Sequence, residues 1–143
     1  RLGITTAGAL VVDDYAHHPT EVRATLQAAR TLDADRVVAV FQPHLYSRTA
    51  REARAFGAAL ALADLVVVLE IYGARERPEE HPGVSGLLVA EAAADIAGGR
   101  PVFWLPGFDE AERLLRSILR GGDLCMTLGA GNVDELGRRL LQT

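Results

Sequence analysis

Val37-Val38-Ala39-Val40-Phe41 is apolar at every position. A strand with one face in water alternates apolar and polar residues; an unbroken apolar run is buried on both faces, as in a parallel sheet covered by helices. Leu65-Val66-Val67-Val68-Leu69 repeats the pattern, and shorter strands are expected at Pro101–Leu105 and Asp123–Leu128. Between them, apolar residues fall at helical spacing: Val22, Leu26 and Ala29, then Ala53, Phe56, Leu60 and Ala63. Strand and helix alternate about five times, with short linkers, which favours right-handed crossovers. The expected fold is α/β and Rossmann-like: a mainly parallel sheet of about six strands, helices on both faces and one antiparallel edge strand. That edge is expected from Arg1–Thr6, which turns at Ala7-Gly8 and pairs with Leu10–Asp13 as a hairpin.

The boundaries follow from local chemistry. Pro19 suits the first turn of a helix ending near Leu32. Arg36–Phe41 is a strand, and Ser47 or Thr49 is expected to cap the helix after it. A strand at Leu65–Ile71 leads into a polar loop from Tyr72 to Pro82. Ser85 is expected to cap a helix to about Ala97, stopped by Gly98-Gly99. Asp109 is expected to cap a helix to Arg120. The last helix follows Gly129-Ala130-Gly131-Asn132 and ends near Leu141. Residues 1–143 show no internal repeat or boundary and read as one domain.

Composition narrows the function. The net charge of −4 offers no basic footprint for nucleic acid. No apolar stretch approaches the roughly 18–20 residues that cross a bilayer, so no membrane role is expected. Cys125 is alone, which excludes an internal disulfide, and its apolar neighbours mark it as a small buried hydrophobe. All fifteen basic residues are arginine. Without lysine there is no P-loop lysine, Schiff base or lysine nucleophile. The chain opens at Arg1 without an initiator Met and reads as a piece of a longer polypeptide.

Two polar clusters follow apolar runs, read as neighbouring strands. The first is Asp13-Asp14-Tyr15-Ala16-His17-His18-Pro19-Thr20-Glu21. Strand alternation sends Asp13 and Asp14 to opposite faces, and either carboxylate can accept bonds from ligand hydroxyls. Glu21 reads as a helix cap favoured by the helix dipole. The second is Gln42-Pro43-His44-Leu45-Tyr46-Ser47-Arg48-Thr49, where Arg48 supplies a planar fork for carboxylate or phosphate. The turn into the helix also aims N–H groups at an anion. Open α/β sheets place ligands at such strand exits. Gly129-Ala130-Gly131 lacks the full G-x-G-x-x-G and reads as a tight turn. His17, His18, His44 and Asp14 are competent metal donors, but no HExxH or paired-cysteine motif accompanies them, so no metal site is assigned.

DDYAHHPTE at 13–21 followed by FQPHLYSRT at 41–49 resembles the C-terminal domain of the Mur ligases of bacterial cell-wall synthesis. Within them it resembles the branch that joins L-alanine to UDP-N-acetylmuramate. The likeness continues at Ile71-Tyr72-Gly73-Ala74-Arg75-Glu76, at Gly83-Val84-Ser85-Gly86 and at Gly129-Ala130-Gly131, in order and over nearly the whole chain.

The resemblance implies a three-domain cytoplasmic enzyme. An N-terminal domain holds the UDP-sugar, and a central domain holds ATP and Mg2+. The C-terminal domain contributes the amino-acid site and closes over the nucleotide. ATP activates the UDP-N-acetylmuramate carboxylate as an acyl phosphate, which the L-alanine amine attacks. By the same resemblance, Asp14 contacts the ATP ribose with Tyr15 nearby. His17, His44, Tyr15, Tyr46 and Arg48 face alanine and the acyl phosphate, with His17, His44 and Arg48 nearest the chemistry. Three residues depart from the family pattern: Leu45 where some members carry Arg, Glu70 in place of Asp and Gly73 in place of Pro. Lacking a P-loop, the chain alone is expected to be inactive. The competing readings are a stand-alone Rossmann-like module binding a nucleotide or anion, and a small metal hydrolase.

Overall fold

The computed structural model describes all 143 residues. Six strands form one sheet: β1 (Gly3–Ile4), β2 (Leu10–Asp14), β3 (Arg36–Phe41), β4 (Leu65–Val68), β5 (Val102–Trp104) and β6 (Asp123–Leu128). Their spatial order is β1-β2-β6-β3-β4-β5. Only the β1–β2 pair is antiparallel. Five helices complete the fold: α1 (Pro19–Ala29), α2 (Tyr46–Leu60), α3 (Leu87–Ala97), α4 (Phe108–Ile118) and α5 (Val133–Arg139). The expected α/β class, strand number and antiparallel edge are borne out.

One sheet relationship differs from the sequence reading. β2 and β3 are not neighbours, because β6 lies between them, with Cys125 level with Val11 on one side and Val38 on the other. The cause is visible in burial: all six residues of β6 are buried, as a central strand requires.

Successive strand residues point to opposite faces and feed two cores. On one face, Ala39, Phe41, Val66 and Leu128 pack with Leu26, Phe56, Leu60 and Val89 of α1–α3. On the other, Val11, Val38, Val40 and Cys125 pack with Ala111 and Leu115 of α4 and Val133 and Leu136 of α5. Burial pushes the Cys125 thiol up to about 12, so it stays protonated and inert. The α2–α3 contact is close at Gly57, where a Cβ would lie 2.5 Å from Ala92 Cβ and 2.6 Å from Ala93 N.

Several boundaries are corrected. α1 stops at Ala29, short of Leu32, and α5 stops at Arg139. Neither Ser47 nor Thr49 caps α2, which begins at Tyr46 with Leu45 in the N-cap position. Thr49 Oγ1 instead donates back to the Leu45 carbonyl at 2.8 Å. Asp109 lies inside the first turn of α4 and accepts a bond from Arg139 at 2.8 Å; Gly107 is the N-cap. Gly86, not Ser85, is the N-cap of α3; Ser85 Oγ accepts the Leu87 N–H at 3.2 Å from one residue earlier, and Gly98, with φ 63°, ends the helix. At the end of the sheet where the central strands β3 and β6 begin, Arg36 and Asp123 form a two-pronged ion pair, Nε to Oδ1 at 3.0 Å and Nη2 to Oδ2 at 2.7 Å.

Candidate functional site

The C-terminal ends of β2 and β3 flank that of β6. The exits of β2 and β3 are both tied to the end of β6 by backbone bonds. Gly129 N–H donates to the Asp14 carbonyl at 3.1 Å, and Gln42 N–H donates to Leu128 at 3.0 Å. The Gln42 side chain bonds Asn132 both ways, at 2.7 and 3.0 Å. A Cβ on Gly131 would lie 2.6 Å from Gln42 Oε1 and 2.6 Å from the Tyr72 ring. Close packing thus accounts for Gly129 and Gly131, as the tight-turn reading expected.

From the β2 exit, Asp14 and Asp13 diverge as alternation requires. Asp13 accepts the Thr127 hydroxyl at 2.6 Å, and burial raises its pKa above the usual carboxylate range. Asp14, half-buried, accepts the Ala16 N–H at 2.9 Å and the Thr25 hydroxyl at 3.2 Å. Tyr15 is exposed, its ring edge-on to His17 at 5.4 Å. Glu21 Oε1 accepts the backbone N–H of His17 at 3.2 Å and of His18 at 3.0 Å, capping α1. Those bonds hold the Glu21 carboxyl below its usual range.

The two histidine turns converge. The His17 and His44 rings lie 5.9 Å apart, nearly perpendicular at 77°. Arg48 Nη1 is 3.4 Å from His44 Nδ1. Arginine only donates, so neutral His44 accepts at Nδ1 and carries its proton on Nε2. Burial, then the Arg48 charge, then His17 depress the His44 pKa, which keeps it neutral near pH 7. His17 Nδ1 sits 3.0 Å from the Tyr15 carbonyl, which can only accept. Neutral His17 therefore donates from Nδ1 and leaves a lone pair on Nε2. One imidazole offers a donor and the other an acceptor, beside a guanidinium.

Tyr46 is placed differently from the other expected site residues. It is buried, and its ring stacks on His81 at 5.7 Å and presses against Gly73, beneath the loop from Tyr72 to Pro82. Desolvation raises its phenol pKa.

The family described as "Mur ligase, glutamate ligase domain" matches residues 1–131. The UDP-N-acetylmuramate–L-alanine ligase of Mycolicibacterium smegmatis is 54% identical over 140 residues, covering 96% of this chain and 28% of that protein. The ligase of the same name from Rhodococcus erythropolis is 49% identical, covering 94% of this chain and 28% of that protein. The chain belongs to the Mur ligase family. It spans little more than a quarter of these Mur ligases and corresponds to their C-terminal part. The crystal structure of the Thermotoga maritima UDP-N-acetylmuramate–alanine ligase superimposes with a TM-score of 0.71 at 27% identity, covering 94% of this chain and 26% of that one. A solved domain from a Haemophilus ducreyi protein has the same fold (TM-score 0.71, 23% identity) and nearly the same extent, covering 99% of this chain and 97% of that one.

Two features of this Mur ligase chain lay outside the sequence reading. Tyr72 stacks on His44 at 5.9 Å, almost parallel, and a single parallel bridge joins the two residues. Glu76 reaches α2 from the loop: Oε1 accepts the Ser47 N–H at 3.0 Å and Oε2 accepts the Ser47 hydroxyl. The first-turn N–H of Ser47, expected to face an anion, is thus engaged within the chain. No local signal announces that contact, because the partners are 29 residues apart. His17, His18 and Glu21 are close enough to suggest a metal cluster. The His17 atom 3.6 Å from Glu21 Oε1 is Nδ1, which is engaged with the Tyr15 carbonyl, and that Oε1 already accepts two N–H groups. These donors serve the turn.

Proposed function

We propose that this chain is the C-terminal domain of a cytoplasmic, ATP-dependent ligase that joins L-alanine to the carboxylate of UDP-N-acetylmuramate through an acyl phosphate. In this reading it supplies the amino-acid site and closes over the nucleotide. ATP, Mg2+ and the UDP-sugar are held mainly by central and N-terminal domains of the same polypeptide, and the fragment alone does not turn over. The observation that carries the reading is the meeting of His17, His44 and Arg48 on one rim of a Mur ligase fold.

The chemistry of the rim suits the task. Arg48 pairs with an anionic group, either the alanine carboxylate or an acyl-phosphate oxygen. His44 Nε2–H stabilises oxygen charge that develops as the tetrahedral centre forms. The His17 Nε2 lone pair accepts a proton from the amine. Tyr15 forms the exposed wall, and Tyr46 supports the neighbouring Tyr72–Pro82 loop from beneath. Asp14 fits a ribose: its two oxygens accept one protein donor each, which leaves lone pairs for hydroxyl groups.

The test is ligation by the full-length enzyme carrying Arg48→Ala or His44→Ala. Loss of a charged hydrogen bond, about 1.5–3 kcal/mol, predicts roughly a 10- to 100-fold fall in kcat/KM for L-alanine with Arg48→Ala. Unchanged alanine dependence in both variants would remove the proposed amino-acid site.

A further inference from the structure

We propose that Glu76 is a positioning residue for the Arg48–His44 pair, locking the first turn of α2 so that guanidinium and imidazole meet a substrate anion at a fixed point. This rests on the reading above and extends it to a residue that the two motif turns do not contain.

α2 has no cap of its own. Its N-cap residue, Leu45, has no side-chain oxygen and adopts φ 74° and ψ 132°, a conformation that a leucine holds only when its surroundings impose it. Its N–H donates to Tyr72 O at 3.0 Å, and its carbonyl accepts from Thr49 N at 3.1 Å and Thr49 Oγ1 at 2.8 Å. The charged contact in this set is Glu76 on Ser47, one residue before Arg48. The Ser47 hydroxyl and amide depress the Glu76 pKa, as does His81, 3.9 Å away, so the carboxylate stays ionised near neutral pH.

Glu76 is itself aimed by a turn. Its N–H donates to Gly73 O at 2.9 Å, and Ala74 has φ 53°. Gly73 lies so close to Tyr46 that a Cβ would be 2.8 Å from its ring. Arg48, by contrast, has a buried Nε without a partner. The direction of its guanidinium is therefore set by the frame of α2 more than by its own hydrogen bonds. Glu76 secures that frame. It also engages the first-turn N–H of Ser47, which leaves Arg48 as the anion contact of this turn.

The proposal is tested with Glu76→Ala and Glu76→Gln, beside Arg48→Ala, in the full-length ligase. Glu76→Ala is expected to raise KM for L-alanine about tenfold with kcat within about threefold. Glu76→Gln, which keeps an acceptor for the Ser47 N–H, is expected to recover most of that loss. In NMR titrations of the 143-residue chain, Glu76→Gln is expected to lower the His44 pKa, since the carboxylate favours the imidazolium, and to shift the Ser47 amide resonance. If Glu76→Ala does not fold, the two NMR readouts of Glu76→Gln decide. Wild-type KM in Glu76→Ala, or an unmoved Ser47 amide and His44 titration in Glu76→Gln, overturns the role of Glu76. A wild-type KM in Arg48→Ala overturns the ligase site itself, so the two failures are distinguishable.

Discussion

Asp123→Asn separates the forces that hold the sheet from those that serve the site. The Asp123 side chain is fully buried; Arg36 retains 22% exposure. Besides the two bonds from Arg36, Asp123 Oδ2 accepts the Arg120 N–H at 3.0 Å, and Arg36 Nη2 donates to Ile118 O at 2.9 Å. Removing one partner of a buried pair costs about 3–5 kcal/mol, because the remaining charge is left uncompensated. Arg36 reaches some water and asparagine keeps one acceptor, so the lower end applies, about 3 kcal/mol. At about 2.1 cal/mol/K per residue, unfolding this chain carries an entropy near 0.3 kcal/mol/K, so the loss corresponds to a Tm drop of about 10 °C. The pH dependence fixes the cause. Burial alone would raise the Asp123 pKa, but Arg36 and the Arg120 N–H outweigh it and the net shift is downward. A depressed carboxylate stabilises fully above its unfolded pKa of about 3.9 and loses that contribution as pH falls through the folded value. The gap between wild type and Asp123→Asn should therefore be constant from pH 7 to about 4 and narrow below that, in thermal melts followed by circular dichroism. A drop of less than about 2 °C at pH 7, or a gap that persists unchanged at pH 2, would refute the reasoning.

Two further substitutions probe packing. Gly57→Ala should destabilise by about 1–2 kcal/mol in urea unfolding, reversing the usual gain of about 1 kcal/mol for this change inside a helix, because the new Cβ meets the backbone of α3. Gly131→Ala should destabilise by about 1–3 kcal/mol, since the new Cβ would lie 2.6 Å from Gln42 Oε1, held by Asn132, and 2.6 Å from Tyr72 Cγ at the root of its ring; its signature should be loss of the Tyr72 ring-current shift on His44 in NMR spectra.

The layers of this fold were readable in its unbroken apolar runs. β3 and β4 are buried on both faces, as Val37–Phe41 and Leu65–Val68 imply, and the antiparallel edge at Gly3–Ile4 follows from the turn at Ala7-Gly8. Strand order was not readable, because buried parallel strands look alike along the chain; the insertion of β6 between β2 and β3 depends on contacts more than a hundred residues apart. The histidine cluster was legible as chemistry, and its convergence across β6 is a tertiary fact. Helix starts were misread where the capping group came from elsewhere. Ser47 and Thr49 are good cap residues by type, but Glu76 supplies the acceptor from the next loop.

Having β6 between the two histidine strands changes what the site can be. Adjacent parallel strands lie about 4.8 Å apart, so β2 and β3 are about 10 Å apart across β6. Side chains reaching inward from both exits leave His17 and His44 in loose edge contact at 5.9 Å. The orientation of the two imidazoles therefore depends on two contacts: Tyr15 O orients His17, and Arg48 orients His44.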